Sequence, residues 1–486
     1  MADQRKTIEI KPVTRVEGHG KVTLHLDEKG NVSRANLNVL QLRGFEKFCE
    51  GRVFWEMPLI TQRACGICPV SHHLASAKAG DAILGVEIPP AARMLRQLMH
   101  MAQYAQSHAL HFFHLASPDL LLGMDANPAI RNVIGLIEAN PELAKKAVWL
   151  RSFGQTIIET LGTKKVHPNF AIPGGVNTAL APKAKDEFLS KVSEAIAIYR
   201  VGLDIIKDFQ TKQKELMASF ASFPSAYMGL VDPQGNLELY EGKLRLIDPK
   251  GFILEDQVDG GNYLSIIEER VEDWSYMKFP CYKKMGYPGG MYRVGPLARL
   301  NVADGITTPL ASKEFKEFKK LGNGGMVEGS LYFHYARLIE GLYAVEMIGE
   351  LLKDDTICST EIRASSSKYN EEGIGVLEAP RGTLFHHFWV DPSGAIRKAN
   401  IIVATQNNNL AINRAIYLVA KEYVKAQKLT EGMLNRVEVA IRCYDPCLSC
   451  ATHALGQMPL SIQVVDSCGK VLEEFPPQAS IPNYQR

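Results

Sequence analysis

The chain opens on alternating apolar and polar positions. Between residues 6 and 42 the runs TIEIKPV, KVTLHLD and NVSRANLNVLQL change character at nearly every second residue, the period of a half-buried strand. The stretch DEKGN between the last two has the composition of a turn. Together they predict a small antiparallel sheet. From about residue 54 the pattern becomes helical. Pro89 and Pro90 precede AARMLRQLMHMAQYAQSHALHFFHLA, which is apolar on most faces. Proline suits a helix start because the N–H it lacks has no partner there, and a helix apolar all round belongs in the interior. Further helical patterns cover roughly 142–161, 183–220, 331–353 and 408–426. Residues 224–262 are rich in Gly, Asp and short β-like runs, 374–404 predict strands around a DPSG turn, and polar 365–373 predict a surface loop. There is no internal repeat and no low-complexity tract. The expected fold is α+β and predominantly helical, a central bundle of long helices with small peripheral β-sheets.

Composition narrows the function classes. The 486 residues are 46% hydrophobic and 22% charged, enough for a large core and typical of a globular protein. The formal net charge is only +2, with no basic run, which argues against nucleic acid as a partner. The N-terminal MADQRKTIEIKPVTRVEGHG contains no apolar secretory core, and no window approaches the ~18 apolar residues of a transmembrane helix. A cytoplasmic location is expected, unless a partner's signal carries the chain across a membrane.

Nine cysteines, an odd number, do not suggest a disulfide framework. Four of them form two Cys-x-x-Cys pairs, Cys65/Cys68 and Cys447/Cys450, each followed by a histidine, His72 and His453. Two intervening residues let both sulfurs of a pair reach one metal, and thiolates suit zinc, iron-sulfur clusters or nickel. A zinc ribbon has its pairs close in sequence, whereas almost the whole chain lies between these two. The spacing points to a four-thiolate centre deep in a large domain. The remaining cysteines read as small buried side chains. His108, His111 and His114 partly share a helix face, and read as core histidines satisfied by hydrogen bonds.

The motifs R-x-C-G-x-C-x-x-x-H and D-P-C-x-x-C-x-x-H resemble the two signatures of nickel-iron hydrogenase large subunits. Pro12 to His19, Arg43-Gly44-Phe45-Glu46 and Ala379-Pro380-Arg381-Gly382 are similar to that family as well. Stretches such as WSYMKFP, RVGPLARLNV and EAPRGTLFHH look most like its cytoplasmic, NAD-reducing bidirectional branch. The resemblance implies Cys65 and Cys447 as terminal nickel ligands, with Cys68 and Cys450 bridging nickel to an iron that carries CO and cyanide. It implies heterolytic cleavage of H2, with Cys447 as first proton acceptor and Glu17 as the next relay. Arg381 would hang over the open metal face, with Asp445 behind it. His72 would donate a hydrogen bond to a bridging sulfur. Taken alone, Glu17 and Arg381 read as ion-pair or capping residues and Asp445 as a turn residue. One position departs from the pattern: Ser107 stands where many members carry an aspartate near the arginine, and serine holds no charge.

The resemblance also implies a second ion, magnesium, held by Glu46, His453 and a backbone carbonyl near Ile401. Residues 1–453 would form a single catalytic domain. Residues 454–486 would be an extension cut between His453 and Ala454 by a maturation endopeptidase, after metal-insertion proteins have acted. No G-x-G-x-x-G motif for NAD leads from a strand into a helix. Electrons would therefore leave through a small iron-sulfur subunit to a diaphorase containing FMN. The alternatives are a hydrogenase serving another low-potential carrier, and a subunit that senses H2 without turnover.

Overall fold

The computed structural model describes residues 7–425 and 428–452, with the backbone of two later strands, Ile462–Val465 and Val471–Phe475. The N-terminal sheet forms as its alternation predicts. Strands β1 (Thr7–Ile10), β2 (Gly20–Leu26) and β3 (Val32–Val39) pair antiparallel in that order. Asp27 closes the β2–β3 turn, its Oδ1 accepting from the N–H groups of Lys29 and Asn31.

Four long helices follow: α1 (Pro69–Leu84), α2 (Pro90–Leu110), α3 (Pro141–Gly162) and α4 (Pro182–Lys212). Each carries proline in its first turn, where the missing N–H costs nothing. A mixed sheet of β4 (Ala226–Val231), β5 (Lys243–Ile247), β6 (Ile253–Val258) and β7 (Tyr292–Arg293) has the order β7-β4-β5-β6. The short α5 (Pro296–Val302) leads on to α6 (Tyr332–Lys353), whose residues from Tyr332 to Glu346 are all buried. An antiparallel sheet of β8 (Glu372–Ala379), β9 (Gly382–Val390) and β10 (Ile396–Ile402) turns at the expected DPSG. Helices α7 (Asn409–Tyr423) and α8 (Glu431–Cys443) complete the core, and β11 (Ile462–Val465) pairs with β12 (Val471–Phe475). No described helix is long and apolar enough to cross a membrane.

Two helical expectations need correction. The pattern over 183–220 gives two helices, because α4 ends at Lys212 and a separate turn of helix spans Lys214–Ser219. The break at Gln213 redirects the chain so that Met217 and Phe220 reach the core, where both are fully buried. The central helix is not uniform either. Beyond Leu110 it widens into a π-helical stretch, His111–Ala116, a form that often marks a functional region.

One packing detail positions the site. Strand β8 lies directly against α1 with glycine at the contact: a Cβ on Gly375 would fall 2.0 Å from the Ala75 carbonyl oxygen, and one on Gly373 would fall 2.2 Å from that of Ala79. Any side chain there would push the strand off the helix. The close approach brings the start of α1, where Cys68 sits, toward the β8–β9 hairpin that carries Arg381.

Candidate metal centre

The first cysteine pair is shaped by the entry into α1. Cys65 follows a 3₁₀ turn and Cys68 is the N-cap of the helix. The N–H groups of Ile67 and Cys68 donate to Cys65 Sγ at 3.2 and 3.3 Å. Amides and a helix N-terminus aimed at sulfur favour the thiolate. Burial is the largest influence on Cys65 and opposes its ionisation, but the side-chain and backbone hydrogen bonds from Cys68 and the Arg381 charge together lower its pKa, while the shared hydrogen and burial hold Cys68 well above the usual thiol range. The second pair follows α8 after Asp445, whose φ is +52°. Thr405 Oγ1 accepts from the Cys447 N–H at 2.9 Å.

The four sulfurs meet in one buried cluster. Cys65 and Cys447 lie 3.2 Å apart, Cys68 and Cys450 lie 3.3 Å apart, and the sulfurs of Cys447 and Cys450 are in contact. All four lie within 4.8 Å of one another. Sulfurs sharing an ion at about 2.3 Å can be no more than about 4.6 Å apart, and the contacts of 3.2, 3.3 and, between Cys68 and Cys447, 3.9 Å lie inside that limit, so the set fits a compact metal centre. Among the described residues it is the one group of ligand-type side chains gathered this closely. Its soft, all-thiolate donor set suits nickel and iron rather than a hard cation.

Residues near the N-terminus reach the cluster through a clamp on α8. The N–H and Oγ1 of Thr14 both donate to Glu438, at 2.8 and 2.9 Å. Arg15 pairs with Asp119 at 2.6 Å, and Arg442 reaches the same carboxylate at 2.8 Å. So anchored, Glu17 lies beside the second cysteine motif. Its Oε2 accepts from Cys447 Sγ at 3.0 Å and from the Ser449 N–H at 3.1 Å, and its carbonyl accepts from the Leu448 N–H. Gly18 makes this approach possible, since with φ +82° a Cβ there would fall 2.8 Å from the Ser449 nitrogen. Residues 43 and 44 close the same end, where both backbone N–H groups donate to the Thr452 carbonyl.

Arg381 sits at the tip of the β8–β9 hairpin, between the paired Ala379 and Gly382. Hairpin tips usually face solvent, but this one is buried. Arg299 of α5 holds it there. Its guanidinium donates to the Ala379 and Pro380 carbonyls and is neutralised by Glu340 and Glu378, all fully buried. Arg381 donates through Nε to the Asp445 carbonyl at 2.6 Å and through Nη2 to Asp445 Oδ1 at 3.0 Å. Burial is the largest single influence and works against its charge, yet Asp445, Cys68, Cys65 and Glu17 together outweigh it and hold its pKa above the usual arginine value. Burial raises the Asp445 pKa in turn, against the pull of Arg381. Nη1 of Arg381 bonds to no described residue. A small cavity of about 20 Å³ lies between Arg381, Cys68, Cys447, Cys450, Leu384 and Val403. A buried guanidinium with a spare donor beside an apolar-walled space is what a small polar ligand on the metals would require.

The other sequence candidates fall around this core. His72 lines the same cavity, and its Nδ1 lies 3.0 Å from Nε2 of His386. Ser107 is buried in α2, and its Oγ bonds to no described residue. Glu46 Oε1 accepts from the Ile401 N–H at 2.9 Å and lies 3.6 Å from Lys278 Nζ, which also faces Glu269 at 3.2 Å. Burial raises the Glu46 pKa. His453 lies outside the described residues. His108 pairs with Glu340, and His111 donates to the Arg442 carbonyl, so these histidines do not converge on an ion. Sequence reasoning missed Thr405, Ser449, Arg299, Glu340, Glu378 and His386. Only His386 carried a signal, a polar residue in an apolar strand just past Arg381.

Comparison with known proteins agrees with this geometry. The sequence profile of the nickel-dependent hydrogenases matches residues 43–132 and 254–453, and a HoxL-like profile matches residues 7–42. The chain is 45% identical to the beta chain of the NAD-reducing hydrogenase HoxS of Cupriavidus necator, covering 96% of this chain and 98% of that protein. It is 44% identical to a component of the F420-non-reducing hydrogenase vhc of Methanococcus voltae, covering 96% and 99%. Among solved structures, an NAD+-reducing [NiFe]-hydrogenase in the H2-reduced state superposes with a TM-score of 0.90 at 45% identity, covering 93% of this chain and 100% of that one. The Ni-Fe-Se hydrogenase of D. vulgaris Hildenborough superposes with a TM-score of 0.73 at 25% identity, covering 92% and 99%. With the thiolate cluster, the profile and the relatives in agreement, the chain belongs to the nickel-dependent hydrogenases, as a large subunit.

Proposed function

We propose that this chain is the H2-cleaving large subunit of an NAD-reducing hydrogenase complex. The observation that carries the reading is the buried four-sulfur cluster in which Cys447 also hydrogen-bonds to Glu17. Cys65 and Cys447 would hold nickel as terminal ligands, and Cys68 and Cys450 would bridge it to an iron bearing CO and cyanide. When bound, this group polarises H2 and allows its reversible heterolytic cleavage into protons and electrons.

The chain's own residues handle the protons and exclude water. Cys447 Sγ takes up a proton and passes it to Glu17 Oε2 across the 3.0 Å contact, a distance suited to direct transfer. Arg381 lines the cavity and keeps Nη1 unengaged by any described residue, while Asp445 holds Nε and Nη2 of its guanidinium. Ala379, Leu384 and Val403 give the cavity an apolar wall, and a dry site strengthens every charge interaction within it. Ser107, at the position where many members of the family carry an aspartate, would supply a hydroxyl and no charge.

Electrons would leave through a small iron-sulfur subunit to a flavin-bearing diaphorase, in the cytoplasm. Glu46, His453 and the backbone near Ile401 would hold magnesium, in competition with the Lys278 ammonium already beside Glu46. The residues after His453 would be removed by an endopeptidase once metal-insertion proteins have filled the site. A second reading rests on the 44% identity to the F420-non-reducing hydrogenase component: the same chemistry serving a different electron carrier.

The test is metal analysis and infrared spectroscopy of the purified complex, with the chain's mass measured on the same sample. Equal nickel and iron, intrinsic CO and cyanide bands, and H2-dependent NAD+ reduction are expected. A chain ending at His453 that held only zinc would overturn the hydrogenase reading. Normal metals with H2 oxidation but no NAD+ reduction would favour the second.

A further inference from the structure

Arg381 takes its orientation from a residue that itself stands on an unusual backbone. Among the described residues Asp445 is the only carboxylate paired with Arg381, through Oδ1 and also through its main-chain carbonyl. Ser107 Oγ bonds to no described residue. Asp445 lies just past the C-terminus of α8, with φ +52°. Glycine is usual at such a position, because left-handed backbone is unfavourable for a residue with a Cβ. Pro446 follows, and proline favours extended backbone at the residue before it. Local preference therefore does not hold Asp445 where it is.

Two side chains from other elements grip the backbone just before it. The last four carbonyls of a helix have no partner inside the helix. In α8 the carbonyl of Arg442 lies 2.8 Å from His111 Nε2, and that of Cys443 accepts from Arg337 Nη2 at 2.9 Å. A carbonyl oxygen only accepts, so His111 presents Nε2–H. The Asp445 N–H donates to the same Arg442 carbonyl at 3.0 Å and closes the turn. Arg337, in α6, is fully buried. Its remaining contacts are the Phe333 carbonyl and His334 Nδ1, both at 3.3 Å. Its charge sits at the negative end of the dipole of the 13-residue α8. His334 stacks on His111, with ring centroids 5.5 Å apart. His111 is also the first residue of the π-helical stretch.

We infer that His111 and Arg337 are positioning residues: by holding the last two carbonyls of α8 they keep Asp445 in its left-handed conformation, and through Asp445 they set the orientation of Arg381. Helix α6 then fixes Arg381 from two sides. Its Glu340 pairs with Arg299, which holds the hairpin tip, and its Arg337 holds the turn that carries Asp445. The backbone part of the inference stands on these hydrogen bonds alone, and only its effect on turnover rests on the proposed function.

The test compares crystal structures and turnover of the assembled complex for the wild type and four single variants. Arg337→Met and His111→Leu remove a donor, whereas Arg337→Lys and His111→Gln each keep one. In the first two, Asp445 should leave the left-handed region and its Oδ1 should part from Arg381 Nη2. In the second two, both features should persist. An unmoved Asp445 in Arg337→Met or His111→Leu would remove that residue from the device, and if one variant does not fold, the other decides. A wild-type crystal structure with Asp445 in extended backbone would overturn the inference outright. Turnover per nickel should fall by about 10²-fold in the donor-deleted variants and largely return in Arg337→Lys. Lower metal content at unchanged turnover per nickel would reduce both residues to a purely structural role and refute the link to Arg381. A wild type without CO and cyanide bands would count against the proposed function and leave the crystallographic result standing.

Discussion

Glu17 and Cys447 come from opposite ends of the chain and meet at 3.0 Å, the thiol donating to the carboxylate. The contact is built into the backbone. The Glu17 carbonyl accepts from Leu448, and Gly18 lets the segment lie flat against Ser449. If this carboxylate relays the proton, Glu17→Gln should lower H2/D+ exchange by about 10²-fold or more, with nickel and iron content unchanged. Exchange at the wild-type rate in a metal-replete variant would rule out the relay.

Arg381 spends its donors on Asp445 from two directions while Nη1 points away from it. Lysine has a single compact ammonium and cannot reproduce that fork. Arg381→Lys should therefore retain the metals and their infrared bands but lose turnover by about 10²-fold. Normal turnover would remove Arg381 from the site's chemistry.

Arg299 is the only described cation hydrogen-bonded to both Glu340 and Glu378 in the interior. Arg299→Met would leave two buried carboxylates without it and free the Ala379 and Pro380 carbonyls that it holds. Removing one partner of such a pair costs about 3–5 kcal/mol. Urea unfolding should show a loss of that order, and a change below about 1 kcal/mol would mean that the cluster is not what buries the hairpin tip.

Burial lowers the pKa of His72, His73 and His108 to about 4 and of His100 to about 3. In the unfolded chain these rings return to about 6.5. As pH falls below that value the unfolded state binds protons that the folded state refuses until near pH 4, so stability is full above about 6.5 and declines through this window. Each histidine contributes up to roughly 1 kcal/mol per pH unit. The urea midpoint of the chain should fall between about pH 7 and pH 5, and a constant midpoint would contradict the buried neutral histidines.

Much of the fold is legible in local pattern. The alternation of β1 to β3, the prolines opening α1 to α4 and the DPSG turn between β9 and β10 each fix an element from residues near in sequence. The break at Gln213 and the π-helical stretch from His111 are not legible, because both answer to distant packing: Met217 and Phe220 seeking the core, and His111 donating to Arg442. Glu46 shows the same limit. Its motif suggested an ion ligand, and only the folded chain reveals that Lys278 and the Ile401 amide already compete for it.

The sequence by itself determined the four sulfurs as a soft ligand set, since Cys-x-x-Cys spacing is a local property and thiolate chemistry needs no context. It also determined where the N-terminal strands and the long helices lie, because hydrophobic period is read within a few turns of chain. Tertiary structure alone decided that Glu17 faces Cys447 and that a hairpin tip is buried to carry Arg381. Each of these depends on atoms brought together from distant parts of the chain, and on the rule that a buried donor or acceptor must find a partner wherever the packing has placed one.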